Sequence, residues 1–112
     1  MKKDKIYLHH IYDSIKNIEN FLGNLKKEEF EKNTLVQSAV MRQLEIIGEA
    51  SKKISPDLKK RSDQIPWKDI AGLRDKLIHD YFGVDIPLVW TICLHDIQKL
   101  KKDISGIMKI NI

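Results

Sequence analysis

Apolar residues recur along most of this chain at steps of three and four, the spacing that lines one face of an α-helix. Leu8, Ile11, Ile15, Ile18 and Leu22 form one such stripe and predict a first long helix ended by Gly23-Asn24. Lys26 to Glu31 predicts a short turn around Phe30. Asn33 or Thr34 is placed to cap a second long helix, with Val36, Val40, Ile47, Ala50 and Ile54 on its inner side and Ser55-Pro56 as its stop. After a polar connection, Ile65-Pro66-Trp67 opens a third helix. Trp67, Ile70, Leu73 and Leu77 face inward, and Gly83 is expected to close it. Asp85 is placed to cap a fourth helix carrying Val89, Ile92, Leu100 and Ile104, with Ser105-Gly106 at its end. Strand alternation is absent outside the tail from Ile107 to Ile112. The expected fold is all-α: an antiparallel, up-and-down bundle of four main helices with short connections. Gly48 interrupts the second helix at a cost of about 1 kcal/mol against Ala, which points to close helix packing there.

Length and charge narrow this picture. The 112 residues suit one domain, spanning 1–112. At 42% hydrophobic and 32% charged, the chain has enough apolar matter for a core and enough charge for a wet surface. No apolar run reaches the roughly 20 residues of a membrane-spanning helix, and no secretory signal is readable. The one cysteine, Cys93, cannot form an intrachain disulfide, which fits a reducing cytoplasm. The net charge of +4 is shared evenly between the halves, so there is no basic tail. Only three of the 20 cations are Arg: Arg42, Arg61 and Arg74. Where Lys is the default, each Arg raises the question of a forked, fixed charge.

Chemistry concentrates at Gly72-Leu73-Arg74-Asp75-Lys76-Leu77-Ile78-His79-Asp80-Tyr81-Phe82-Gly83. Placed on a continuous helix, Arg74 and Tyr81 lie at the edge of the buried stripe and His79 lies on roughly the opposite side. Such residues suit two readings. In one, Arg74 is a surface cation, His79 a solvated side chain and Tyr81 part of the core. In the other they form a phosphodiester site, with Arg74 gripping phosphate oxygens and His79 shuttling protons near neutral pH. RNA brings its own 2′-hydroxyl nucleophile, so such a site needs neither a metal nor a nucleophilic side chain. Asp75, four residues before His79, is placed to orient the imidazole.

The segment resembles the R-x4-H-x-Y motif of HEPN-superfamily ribonucleases, and the chain more narrowly resembles the HepT toxins of MntA–HepT pairs. Ile46-Ile47-Gly48-Glu49-Ala50, Ile65-Pro66-Trp67 with Gly72-Leu73-Arg74, and His79-Asp80-Tyr81-Phe82-Gly83-Val84-Asp85 carry the resemblance in order. It implies a helical bundle that dimerises to bring two motifs into a composite cleft. The implied activity is a metal-independent endoribonuclease without a cofactor, toxic to the cell, with Arg74 and His79 as the catalytic pair and Asp75 supporting them. It further implies that Tyr81 is adenylylated, from ATP, by an MntA-like nucleotidyltransferase antitoxin, which silences the site. The rival reading is a non-catalytic helical subunit that binds a nucleotidyltransferase and helps it hold substrate.

Other polar residues offer less. His9 and His10 are neighbours on the first helix without a shared face, and His95 has no helical partner, so no zinc-like set is spelled out. Glu49 is expected either at the cleft or in solvent. Trp67, Trp90 and Cys93 are expected in the core.

Overall fold

The computed structural model describes residues 2–79 and 83–109, with the backbone alone at Lys2 and His79. Its helices run in chain order as α1 (Lys2–Leu22), α2 (Lys27–Glu31), α3 (Thr34–Lys53), α4 (Pro56–Arg61), α5 (Trp67–Ala71) and α6 (Leu73–Leu77). A two-residue ladder of β1 (Ile78–His79) and β2 (Gly83–Val84) follows, then α7 (Ile86–Leu94) and α8 (Asp96–Met108). The molecule is an all-α bundle whose third and fourth rods are each made of two helices.

The local signals act where expected. Gly23 ends α1 with φ of +51°, a conformation that a Cβ disfavours. The Asn33 side chain accepts from the Val36 N–H at 3.0 Å and starts α3. Ser55 Oγ accepts from Leu58 N–H, and Asp85 Oδ1 accepts from Leu88 N–H, so each caps the helix behind it.

α1 and α3 pack antiparallel. The Asp4 carboxylate accepts from the Ser55 backbone N–H at 2.8 Å and from its hydroxyl at 2.6 Å, and Asn17 reaches Gln43 nearer the other end. α8 runs antiparallel to α1 as well, with Glu19 accepting from Lys101 Nζ at 3.0 Å and from Gln98. Between the rods lie the buried Leu8, Ile11, Ile15, Ile18 and Leu22 of α1, with Val40, Leu44 and Ile47 of α3 and Ile97, Leu100 and Ile104 of α8. Phe30 of α2 is fully buried and its ring lies 5.4 Å from that of Trp90. Trp67 is buried and donates to Ser62 Oγ at 3.1 Å. Cys93 is buried, and that burial pushes its thiol up to about 12.

Two expectations need correction. The third helix does not run on to Gly83. It is interrupted at Gly72 and ends at Leu77, because the chain turns extended at Ile78 and folds back on itself. Ile78 pairs with Val84 and His79 with Gly83, and the Asp85 N–H closes the ladder on the Leu77 carbonyl at 2.8 Å. Gly83, with φ of +77°, serves this ladder instead of a helix end. The fourth helix is divided at His95.

Candidate active site

The site begins with how closely α3 and α5 approach. A Cβ on Gly48 would stand 3.3 Å from the Ile70 carbonyl oxygen and 3.5 Å from that of Ala71. The missing side chain lets the end of α5 lie directly on α3, which accounts for a glycine in mid-helix. Gly72 then turns the chain into α6, and Arg74 emerges beside α3.

Arg74 is largely exposed, and its Nε donates to Glu45 Oε2 at 3.2 Å. Glu45 is the residue that sequence reasoning missed. It stands 29 positions before Arg74, and only the α3–α5 approach joins them. The pair uses one edge of the guanidinium. Among the described residues the Nη groups have no carboxylate partner, so the fork remains able to grip an anion.

Around this pair is a cavity of about 300 Å³, lined by Arg42, Glu45, Gly48, Glu49, Arg74 and Asp75 among others. Glu49 is exposed, accepts from Lys52 Nζ at 3.1 Å and lines the cavity. The signal that could have revealed this wall was present. Arg42, Glu45, Glu49 and Lys52 step by three, four and three along α3 and make one charged stripe.

Asp75 sits next to Arg74 in α6 and lines the same cavity. Its assumed helical spacing to His79 does not hold, because α6 ends between them and His79 lies in β1. The helical placement of His79 fails for the same reason. Tyr81 falls outside the described residues. His9, His10 and His95 are exposed, and His10 meets Tyr7 edge to face at 6.1 Å.

The chain matches the family model described as ribonuclease HepT-like over residues 11–107. A candidate RNase of Methanocaldococcus jannaschii is 45% identical over 96% of this chain and 90% of its own length. A probable ribonuclease HepT of Thermococcus cleftensis is 44% identical over 96% of this chain and 98% of its own. A candidate RNase of Caldanaerobacter subterraneus is 38% identical over 97% of both chains. No solved structure matches the chain significantly.

Proposed function

Because the chain belongs to the ribonuclease HepT-like family, we propose that it is a metal-independent endoribonuclease acting through Arg74 and His79. The observation that carries the reading is the end-to-end similarity to proteins named as RNases, over a span that includes the whole R-x4-H-x-Y motif. The exposed guanidinium of Arg74 over a cavity supports it.

In this reading Arg74 holds the non-bridging oxygens of the scissile phosphate and offsets the charge that builds on them. An imidazole, His79 of one motif, takes the proton of the RNA 2′-hydroxyl as its oxygen attacks phosphorus. The 5′-oxygen leaves with a proton, giving a 2′,3′-cyclic phosphate and a 5′-hydroxyl. A second motif, contributed by a second copy of the chain across a shared cleft, would supply the acid. Asp75 lies at the polar position after Arg74 and supports the pair.

The same reading makes the protein a toxin restrained by a nucleotidyltransferase antitoxin. Transfer of AMP from ATP to the Tyr81 oxygen releases pyrophosphate and leaves a phosphodiester with one negative charge. That charge would oppose RNA phosphates entering beside Arg74. The setting would be the cytoplasm. Among the described residues no helix is long and apolar enough to cross a membrane.

The test is incubation of the purified protein with total RNA, with and without EDTA. Cutting should persist in EDTA and end in cyclic phosphate. His79→Ala should lose on the order of 10²–10⁴ in rate. Abolition by EDTA, or an undiminished and folded His79→Ala protein, would overturn the reading. Treatment with an MntA-like partner and ATP should silence the parent protein and spare Tyr81→Phe.

A further inference from the structure

The cavity at Arg74 does not stand alone. On the other side of α3 lies a second depression of about 210 Å³, between α3 and α1, lined by Tyr7, His10, Arg42, Glu49 and Lys53 among others. Arg42 and Glu49 belong to both walls, so the two depressions form one surface that crosses α3. Arg42 is exposed at the junction.

Its partners set Arg42 apart from the other two arginines. Arg61 is paired with Asp57 at 3.2 Å, and Arg74 with Glu45 at 3.2 Å. Among the described residues Arg42 has no carboxylate partner, and neither does Lys53. Of the acids along this path Glu45 is engaged by Arg74 and Glu49 by Lys52, and Asp75, which has no ion pair among the described residues, is outnumbered by Arg42 and Lys53. The charge left uncompensated on the path is therefore positive. At its far end Tyr7 is half-buried against the core, which fixes its ring, while His10 stands exposed beside it.

We infer that Arg42, Lys53 and the Tyr7–His10 pair form a binding track for single-stranded RNA, leading away from the phosphate held at Arg74. Arg42 takes a flanking phosphate, and Lys53 adds charge behind it. The exposed His10 ring, braced edge to face by Tyr7, offers a platform on which an unpaired base can stack. A positive groove with aromatic side chains at its edge is the general means of holding a single strand without reading its sequence. Duplex RNA hides its base faces and cannot use the platform. The inference rests on the ribonuclease reading and adds to it where the substrate runs and that it must be unpaired.

The probe is a fluorescein-labelled single-stranded oligonucleotide of about twelve residues, long enough for such a groove. Its 2′-O-methyl sugars remove the nucleophile, so the intact protein binds without cutting. Binding is followed by anisotropy across a salt series. Arg42→Ala should weaken binding roughly tenfold and reduce the slope of log K against log salt by about 0.7, the share of one single-strand phosphate contact. Lys102→Ala, an exposed cation of α8 away from the track, should bind within about twofold of the parent, as surface changes away from a contact do. A second measurement does not depend on a variant. RNA carrying 4-thiouridine should crosslink on irradiation to the tryptic peptide Ile6–Lys16, which contains Tyr7 and His10. If Arg42→Ala binds as the parent does, or crosslinks fall only elsewhere, while the parent still cleaves RNA, the track is wrong and the ribonuclease reading stands. If the parent neither binds nor cleaves RNA, both fail together.

Discussion

Arg74 and Glu45 form an ion pair whose cation is 65% exposed, and such pairs contribute about 0–1 kcal/mol. The pair is therefore poor as a clamp on the fold but useful as a rest position for a guanidinium awaiting an anion. Glu45→Gln should leave the melting temperature nearly unchanged and tighten RNA binding, because it removes a competitor for Arg74. Arg74→Lys should keep the fold and lower kcat/KM at least tenfold, since an ammonium cannot reproduce the planar fork. Gly48 tests the geometry beneath them. Gly48→Val would push branched carbons at the Ile70 and Ala71 carbonyls and should destabilise by about 1–3 kcal/mol in urea melts. At this scale Arg74 was legible in its motif, and a packing role for Gly48 was legible in its cost. Glu45 was not, because nothing local links positions 29 apart.

Helix α1 is held at its two ends by carboxylates. Burial works against ionised Asp4, yet the side-chain and backbone hydrogen bonds from Ser55 hold its carboxyl below the usual value. Burial likewise opposes the charge on Glu19, while Lys101 and Gln98 hold it low. The unfolded chain thus takes up protons at these groups more readily than the folded one. Their contribution is whole at neutral pH and is lost as pH falls through about 4 toward the folded values. Urea midpoints should stay level from pH 7 to about 5.5 and then drop, with a shallower drop in Asp4→Asn. The third rod shows where element-scale reading stops. Its apolar stripe identified Trp67, Ile70, Leu73 and Leu77 as buried, and they are. Its end was misplaced because the Leu77 carbonyl finds the Asp85 N–H, a partner that periodicity cannot see. In the fourth rod, Cys93 is sealed in α7 with its thiol pushed up to about 12 by burial. It should ignore a disulfide reagent at pH 8 in the native protein and react only as the fold opens in urea.

As a whole the chain is a flattened body of 41 × 32 × 20 Å, with Arg74 at its surface. A phosphodiester cut needs both an acid and a base, and one chain offers one such imidazole in the motif. Sedimentation should therefore find a dimer at micromolar concentration, with an interface of at least about 1,000 Å². A persistent monomer that still cleaves RNA would sink the shared cleft and leave the activity.

The sequence by itself determined what depends on neighbours along the chain. The stripes of α1, α3 and α8, the caps at Asn33 and Asp85, the stops at Gly23 and Ser55-Pro56 and the all-α class all follow from spacing and capping chemistry within a few residues. The order of motif residues likewise showed the family. Tertiary structure decided what depends on distant partners. It ended α6 at Leu77 by pairing Ile78 with Val84 and His79 with Gly83, and it set Glu45 against Arg74 through the gap at Gly48. It also set Arg42 at the junction of two depressions from four helices. A helical spacing states which residues share a face; only packing against the rest of the chain decides what that face meets, because contacts at long sequence separation compete with local hydrogen bonds and, just after Leu77, win.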